Sequence, residues 1–269
     1  MNTLIAKLQQ ISIEDYQSED EYEDEFSSDE ENIKKQKYIM EPASIPNFVD
    51  IDILKEFVKN DIDGNKEYYD DLKITYRISD SKKAEWILKK AIKGYSITST
   101  LVGDGNTNVD IHVKINNQDG TMTNIGVDAS VLTLNGNYTN EKSIMQNFST
   151  GSDLDSLFNN NKGAEAINIF KQKFKNKYQL NTNTNTGIYY LIFICQGKNV
   201  YLVCIKLNLE NIDDMKFSSF TKSCKNIIVD NFIASDFGNV KLYKSKKRLE
   251  LRLHKNIINV KNDYCIKVY

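Results

Sequence analysis

A chain of 269 residues with 35 basic and 37 acidic side chains carries a formal charge of -2, and 40% of it is hydrophobic. That suffices for one large domain with an appendage. No run of about 18 apolar residues occurs, so no membrane span is expected. The near-neutral total hides an asymmetry: residues 1–32 hold 11 acids, all between Glu14 and Glu31, against Lys7 alone, leaving 26 acidic and 34 basic residues and a net of +8 in 33–269.

In chain order, residues 1–45 form an acidic segment whose dense like charge and few aliphatics predict disorder. Such a block serves as a solubilising tail or competes with a polyanion for the basic body. The opening MNTLIAKLQQISIEDYQ lacks the basic start, apolar core and small-residue cleavage site of a leader, and an intracellular location (cytoplasmic, or nuclear or virion in a eukaryotic or viral source) is expected. A single domain is predicted over 46–269. It begins with a short helix, Ile51–Lys59, and then Asp61-Ile-Asp63-Gly64-Asn65, read as a turn because the downstream glutamate of a calcium loop is missing. Leu72–Ile78 suggests a short strand. Ser81–Lys93 is an amphipathic helix with Ala84, Ile87, Leu88, Ala91 and Ile92 on its apolar stripe, Glu85 in its first turns and Gly94 ending it. Ser96–Thr107 is polar and glycine-bearing.

The chain is organised around Asn108–Asn135. Val109–Ile115 alternates, with Val109, Ile111, Val113 and Ile115 on one face and Asp110, His112 and Lys114 on the other. A polar turn over Asn116–Gly120 leads into Ile125–Leu134, where Asp128 and Ser130 share a face opposite Val127, Ala129 and Val131. Antiparallel pairing sets Asp110 beside Asp128, and two neighbouring carboxylates repel unless a hard divalent cation lies between them. Lys142, Gln146 and Asn147 cluster in NEKSIMQN. A second helix, Gly163–Tyr178, buries Ile167, Phe170 and Phe174, and NTNTNT is a loop. Ile188–Cys195 and Asn199–Leu207 are nearly all apolar, as central strands covered on both faces are. Phe217–Phe232 suggests a helix and a strand. Val240–Val260 reads as one half-buried strand with a basic open face of Lys241, Lys244, Lys246, Lys247, Arg248, Arg252 and Lys255; it is either an edge guarded by lysines or a nucleic-acid contact. The four cysteines lack metal-ligand spacing and read as buried thiols. Neither His112 nor His254 sits by a nucleophile motif.

Helix with Glu85, strand with Asp110, strand with Asp128-Ala129-Ser130, helix, two central strands: this order resembles the PD-(D/E)XK nucleases, and within them the type II restriction endonucleases, over roughly Ser81–Leu207. NEKSIMQNF and the G-x-D-L-D-x-L-F stretch add to the likeness. The resemblance implies an α/β (α+β) fold, a mixed central sheet flanked by helices, and Mg²⁺- or Mn²⁺-dependent hydrolysis of phosphodiester bonds in double-stranded DNA. Asp110 and Asp128 would be the metal ligands and Glu85 an assisting acid; Lys142, Gln146, Asn147, Lys244, Lys246, Lys247, Arg248 and Arg252 are candidate DNA contacts, and a homodimer is compatible with it. The family places a lysine where this chain has Ser130, and a hydroxyl cannot supply positive charge. Three readings follow: an inactive form that still binds metal and DNA, substitution by Lys114, or Lys142 reaching in. An inactive DNA-binding protein on the same scaffold is the alternative function. Gly187-Ile188-Tyr189 followed by Tyr201-Leu202-Val203 also resembles the opening of a GIY-YIG nuclease, but without that family's second-motif glycine or its helical arginine.

Overall fold

A computed structural model describes residues 37–101, 109–145, 156–179, 185–221, 226–244 and 248–269. Three helices open the domain: α1 (Ile51–Asp63), α2 (Lys66–Asp71) and α3 (Ser81–Ala91). The first and third start where a side chain relieves the unpaired amides of the first turn. The Asp50 carboxylate accepts from the amides of Asp52 and Ile53, both at 3.1 Å, and Asp80 accepts from Lys83 at 2.7 Å. Four-residue spacing then buries Leu54, Val58 and Ile62 of α1. Helix α3 buries Ala84, Ile87, Leu88 and Ala91 as read; it stops before Gly94, where Ile92 turns extended and bridges Val49.

The main sheet has the order β1-β8-β7-β4-β3-β2. Its strands are β1 (Met40–Pro42), β2 (Ile97–Leu101), β3 (Ile111–Asn116), β4 (Met122–Asn135), β7 (Asn185–Gln196) and β8 (Asn199–Leu207). The pair β4–β7 is parallel and the others are antiparallel, so the sheet is mixed. Two further strands extend it: β5 (Tyr138–Thr139) turns back on β4, and β13 (Cys265–Lys267) pairs with β8. A parallel pair needs a long crossover, and α4 (Gly163–Gln179) lies in the segment between β4 and β7. A second sheet, β6-β12-β11-β10-β9, comprises β6 (Lys142–Met145), β9 (Lys216–Phe220), β10 (Asn226–Asp230), β11 (Gly238–Tyr243) and β12 (Arg248–Leu253).

Strand alternation divides the core in two. Val127, Ala129, Leu191 and Phe193 pack with α1 and α3 on one face of the main sheet. Leu132, Leu134, Ile192 and Ile194 pack with Phe170 and Phe174 of α4 and with Val240, Leu242, Leu249 and Leu251 of the second sheet on the other. Strands β7 and β8 are thus covered on both sides, which is why their sequences are nearly uniformly apolar.

Several sequence expectations are corrected. Segment Leu72–Ile78 is no strand: Leu72 caps α2, Lys73 takes a φ of 52°, and the chain then passes the β7–β8 turn with the Tyr76 amide on the Gly197 carbonyl at 2.9 Å. Ser96–Thr107, to which the sequence assigned no element, contains β2, an edge strand made of Ile, Thr, Ser and Leu. Phe217–Phe232 yields β9 and β10 without a helix in the described part. Val240–Val260 is not one strand but the paired strands β11 and β12 followed by a 3₁₀ turn, because its alternation spans two strands of one hairpin. The domain also begins earlier than expected, since β1 pairs with β8. The acidic block Glu14–Glu31 lies outside the described residues.

Candidate active site

The hairpin at the centre of the main sheet is antiparallel, with Ile111 opposite Val127 and Ile115 opposite Thr123. Its turn closes with the Asn117 amide on the Thr121 carbonyl at 2.9 Å, and Gly120 takes a φ of 80°, a conformation that favours glycine. Extending the register by one pair sets Asp110 next to Asp128. Asp110 lies just before β3: its amide donates to the Val127 carbonyl at 3.0 Å and its Oδ2 accepts from the Ala129 amide at 2.7 Å. Where β3 ends, the Asp110 carboxylate therefore takes over a ladder bond that β4 would otherwise lack. Val109 departs from the expected alternation, since it packs into the core opposite that of Ile111 and Val113. Gly126 permits this: a Cβ there would meet Val109 Cγ1 at 2.7 Å.

Asp128 and Ser130 are 7% exposed each and stand, by alternation, on the face turned toward the second sheet. The parallel neighbour β7 sets Tyr190 level with Asp128 and Ile192 level with Ser130. From the facing sheet comes Lys142. In β6 it pairs in register with Leu251, one of the inward residues of β12, so its side chain crosses the layer between the sheets. Its Nζ donates to Ser130 Oγ and lies 5.4 Å from the centroid of the Tyr190 ring. An ammonium above an aromatic face is attracted by the ring quadrupole.

Of the two lysines considered as substitutes for the family's charge, Lys142 is the one brought to Ser130. Lys114 is exposed and pairs with Thr98 and Asn124, two pleats along β3 from Asp110. The signal for Lys142 was present in the sequence: Asn135-Gly136-Asn137 is turn-forming, and Gly136 takes a φ of 64°. The chain doubles back there, with Leu134 opposite Thr139 and the Asn140 amide on the Thr133 carbonyl at 2.9 Å. That return carries residue 142 level with the Ser130 region of β4.

Glu85 is 8% exposed on α3, with Lys82 Nζ 3.3 Å from its Oε2. Helix α3 packs on the Val127–Ala129 face, so Glu85 belongs to the layer on the side of the main sheet opposite Lys142. His112 pairs with Gly126, and its Nε2 is buried without a hydrogen-bond partner. Among the described residues no group of three or more His, Cys, Asp and Glu side chains converges on a point suited to a metal.

The candidate DNA contacts separate. Gln146, Asn147, Lys246 and Lys247 lie outside the described residues. Lys244 donates to Asn159 Oδ1 at 2.7 Å. Arg248 and Arg252 share the other face of β12 with Glu250, which is buried between them: Arg248 Nε donates to Glu250 Oε1, and Arg252 Nε donates to the Thr139 carbonyl at 3.3 Å. This face is consequently less basic than the sequence pattern suggested.

The GIY-YIG tyrosines do not meet. Tyr189 packs with the helix-side core and Tyr201 with the other, and their strands pair Tyr189 with Lys206 and Ile194 with Tyr201. Cys195, Cys204 and Cys265 are buried free thiols, pushed up by burial to about 12, about 12 and about 11. His254 caps the following 3₁₀ turn by accepting from the Asn256 amide. No helix of the described residues is long and apolar enough to cross a membrane. No family model, curated protein or solved structure matches the chain.

Proposed function

We propose that this chain is a metal-dependent endodeoxyribonuclease of restriction-enzyme type, hydrolysing phosphodiester bonds in double-stranded DNA, with its lysine supplied from position 142 rather than 130. The observation that carries the reading is the Lys142 ammonium on Ser130 Oγ, one pleat from Asp128, which is itself next to Asp110. Two carboxylates and a cation are the charge set that attack of water on a phosphodiester requires. Carboxylate oxygens are hard donors, and Mg²⁺ is commonly held by one or two of them together with water and substrate phosphate, so the pair fits Mg²⁺ or Mn²⁺. Such an ion supplies a Lewis acid that polarises the phosphate and acidifies a water.

The protein groups divide the remaining work. Asp110 is anchored by the Ala129 amide, which fixes one oxygen and leaves the other for a ligand. Lys142 meets the negative charge that builds on the phosphate as water attacks, the role a serine cannot fill. Lys244, Arg248 and Arg252, on strands of the sheet that delivers Lys142 or just beyond them, would contact the DNA backbone.

Moving the lysine tests this directly. Lys142→Ser should lower Mg²⁺-dependent nicking of duplex plasmid by about 10²-fold or more. Adding Ser130→Lys to that variant restores the charge from the neighbouring position and should recover cleavage. A wild-type protein that cleaves nothing in Mg²⁺ or Mn²⁺ sinks the proposal; salt-dependent DNA binding that persists in EDTA would then identify a binding protein on this scaffold.

A further inference from the structure

We infer that Tyr190 is a positioning residue for Lys142, an assignment that rests on reading Lys142 as the charge donor of the site. Lys142 has four rotatable side-chain bonds and springs from a different sheet than the carboxylates it serves. One hydrogen bond to Ser130 Oγ limits its reach but not its direction. The ring of Tyr190 provides the second constraint. It is 1% exposed, held between Asp128 on β4 and Ile205 on β8, and belongs to a strand covered on both faces. The ammonium 5.4 Å from its centroid faces a rigid, partly negative surface. Ser130 and Tyr190 together therefore clamp a flexible cation at the level of Asp128.

The clamp also accounts for a serine at position 130. A hydroxyl accepts the hydrogen bond that orients Lys142, whereas a second lysine there would set two ammonium groups against each other. Aromatic identity at 190 is tied to the same arrangement, because an aliphatic residue of similar bulk fills the core without attracting a cation.

The test compares Tyr190→Phe with the protein carrying pentafluorophenylalanine at 190, which reverses the charge on the ring face while keeping the ring. Two readouts are taken on the full chain: the Cε–H resonances of ¹³C-labelled lysine, with Lys142 assigned by Lys142→Arg, and cleavage of duplex DNA in Mg²⁺. In Tyr190→Phe, which keeps the ring face, the Lys142 resonances should keep an upfield ring-current shift. In the fluorinated protein the shift should collapse and kcat fall about tenfold, with KM within about twofold. Absence of the shift in wild type overturns the inference whatever the activity, as does a fluorinated protein that retains both shift and rate. If wild type cleaves no DNA but the shift is present and collapses on fluorination, the nuclease reading fails and the hold of Tyr190 on Lys142 stands.

Discussion

On the proposed reading Asp110 has two jobs that can be separated by one atom. Its Oδ2 accepts from the Ala129 amide at 2.7 Å, and the hairpin register sets it opposite Asp128. Replacement by Ala removes the charge and strands an amide on a buried stretch of β4; replacement by Asn removes the same charge but retains a side-chain oxygen for the amide. Relief of repulsion from Asp128 is common to both variants and cancels in the comparison. What remains is the cost of an unmade backbone hydrogen bond, about 1–3 kcal/mol. For a domain of this size that corresponds to Asp110→Ala melting roughly 2–12 °C below Asp110→Asn in the presence of EDTA. Divalent cation should then distinguish wild type from both: a ligand at one hundred times its dissociation constant adds about 2.7 kcal/mol to a protein that binds it only when folded. Thermal melts with and without Mg²⁺, with urea titrations to check the slope, read all of these quantities. Equal stability of Asn and Ala variants would refute the structural job. Mg²⁺ stabilisation that survives in both would refute the ligand assignment.

Other consequences are open to simple measurement. Gly126→Ala would drive a Cβ to 2.7 Å from Val109 Cγ1, so Val109 and the adjacent Asp110 must move; destabilisation of about 1–3 kcal/mol and weaker Mg²⁺ binding are expected by melting and calorimetry. Asp70 is held below its usual 3.8 by the Lys198 ammonium and the Tyr76 hydroxyl. A depressed carboxylate stabilises the fold above its unfolded pKa and loses that contribution as pH falls through the folded one, so the small deficit of Lys198→Met should be present near neutrality and vanish below about pH 3.8 in urea titrations. On a Cys224→Ser background, a thiol reagent at about pH 8 should leave Cys195 and Cys204 unmodified in the folded protein and label them once urea unfolds it, because burial disfavours the thiolate. Rapid labelling of the native state would contradict their burial.

The elements that could be read from the sequence were those whose pattern is internal to one segment. Helix α3 shows its stripe, the β3–β4 hairpin its alternation and turn, and β7 and β8 their uniform apolarity. Register then brings Asp110 to Asp128 without further information, since a two-residue period allows little slippage once one face is buried. What sequence reading missed depends on partners. Edge strand β2 is short, polar and uncharged, and nothing in Ile-Thr-Ser-Thr-Leu distinguishes it from a loop until β3 lies beside it. The sequences of β11 and β12 both alternate and the stretch between them is rich in lysine rather than in Gly or Pro, so a paired unit resembled one long strand. Motif spacing describes a single strand and so gave no reason to prefer Lys142 over Lys114. The structure instead delivers it across the space between two sheets, and its relation to Ser130 is set by the return at Asn135-Gly136-Asn137.

Separate sheets for the acids and the base imply an order of assembly. The carboxylates belong to a hairpin whose contacts are close in sequence, the kind that forms early. The second sheet joins β6 near residue 142 to β12 near residue 250, a separation of over 100 residues, and closes late. Contact order therefore predicts that in refolding the hairpin forms with its two negative groups before Lys142 is delivered by the docking of the last strands. On the proposed reading, competence of the site would report completion of the whole domain, and a chain lacking the second sheet would carry the acids without the cation.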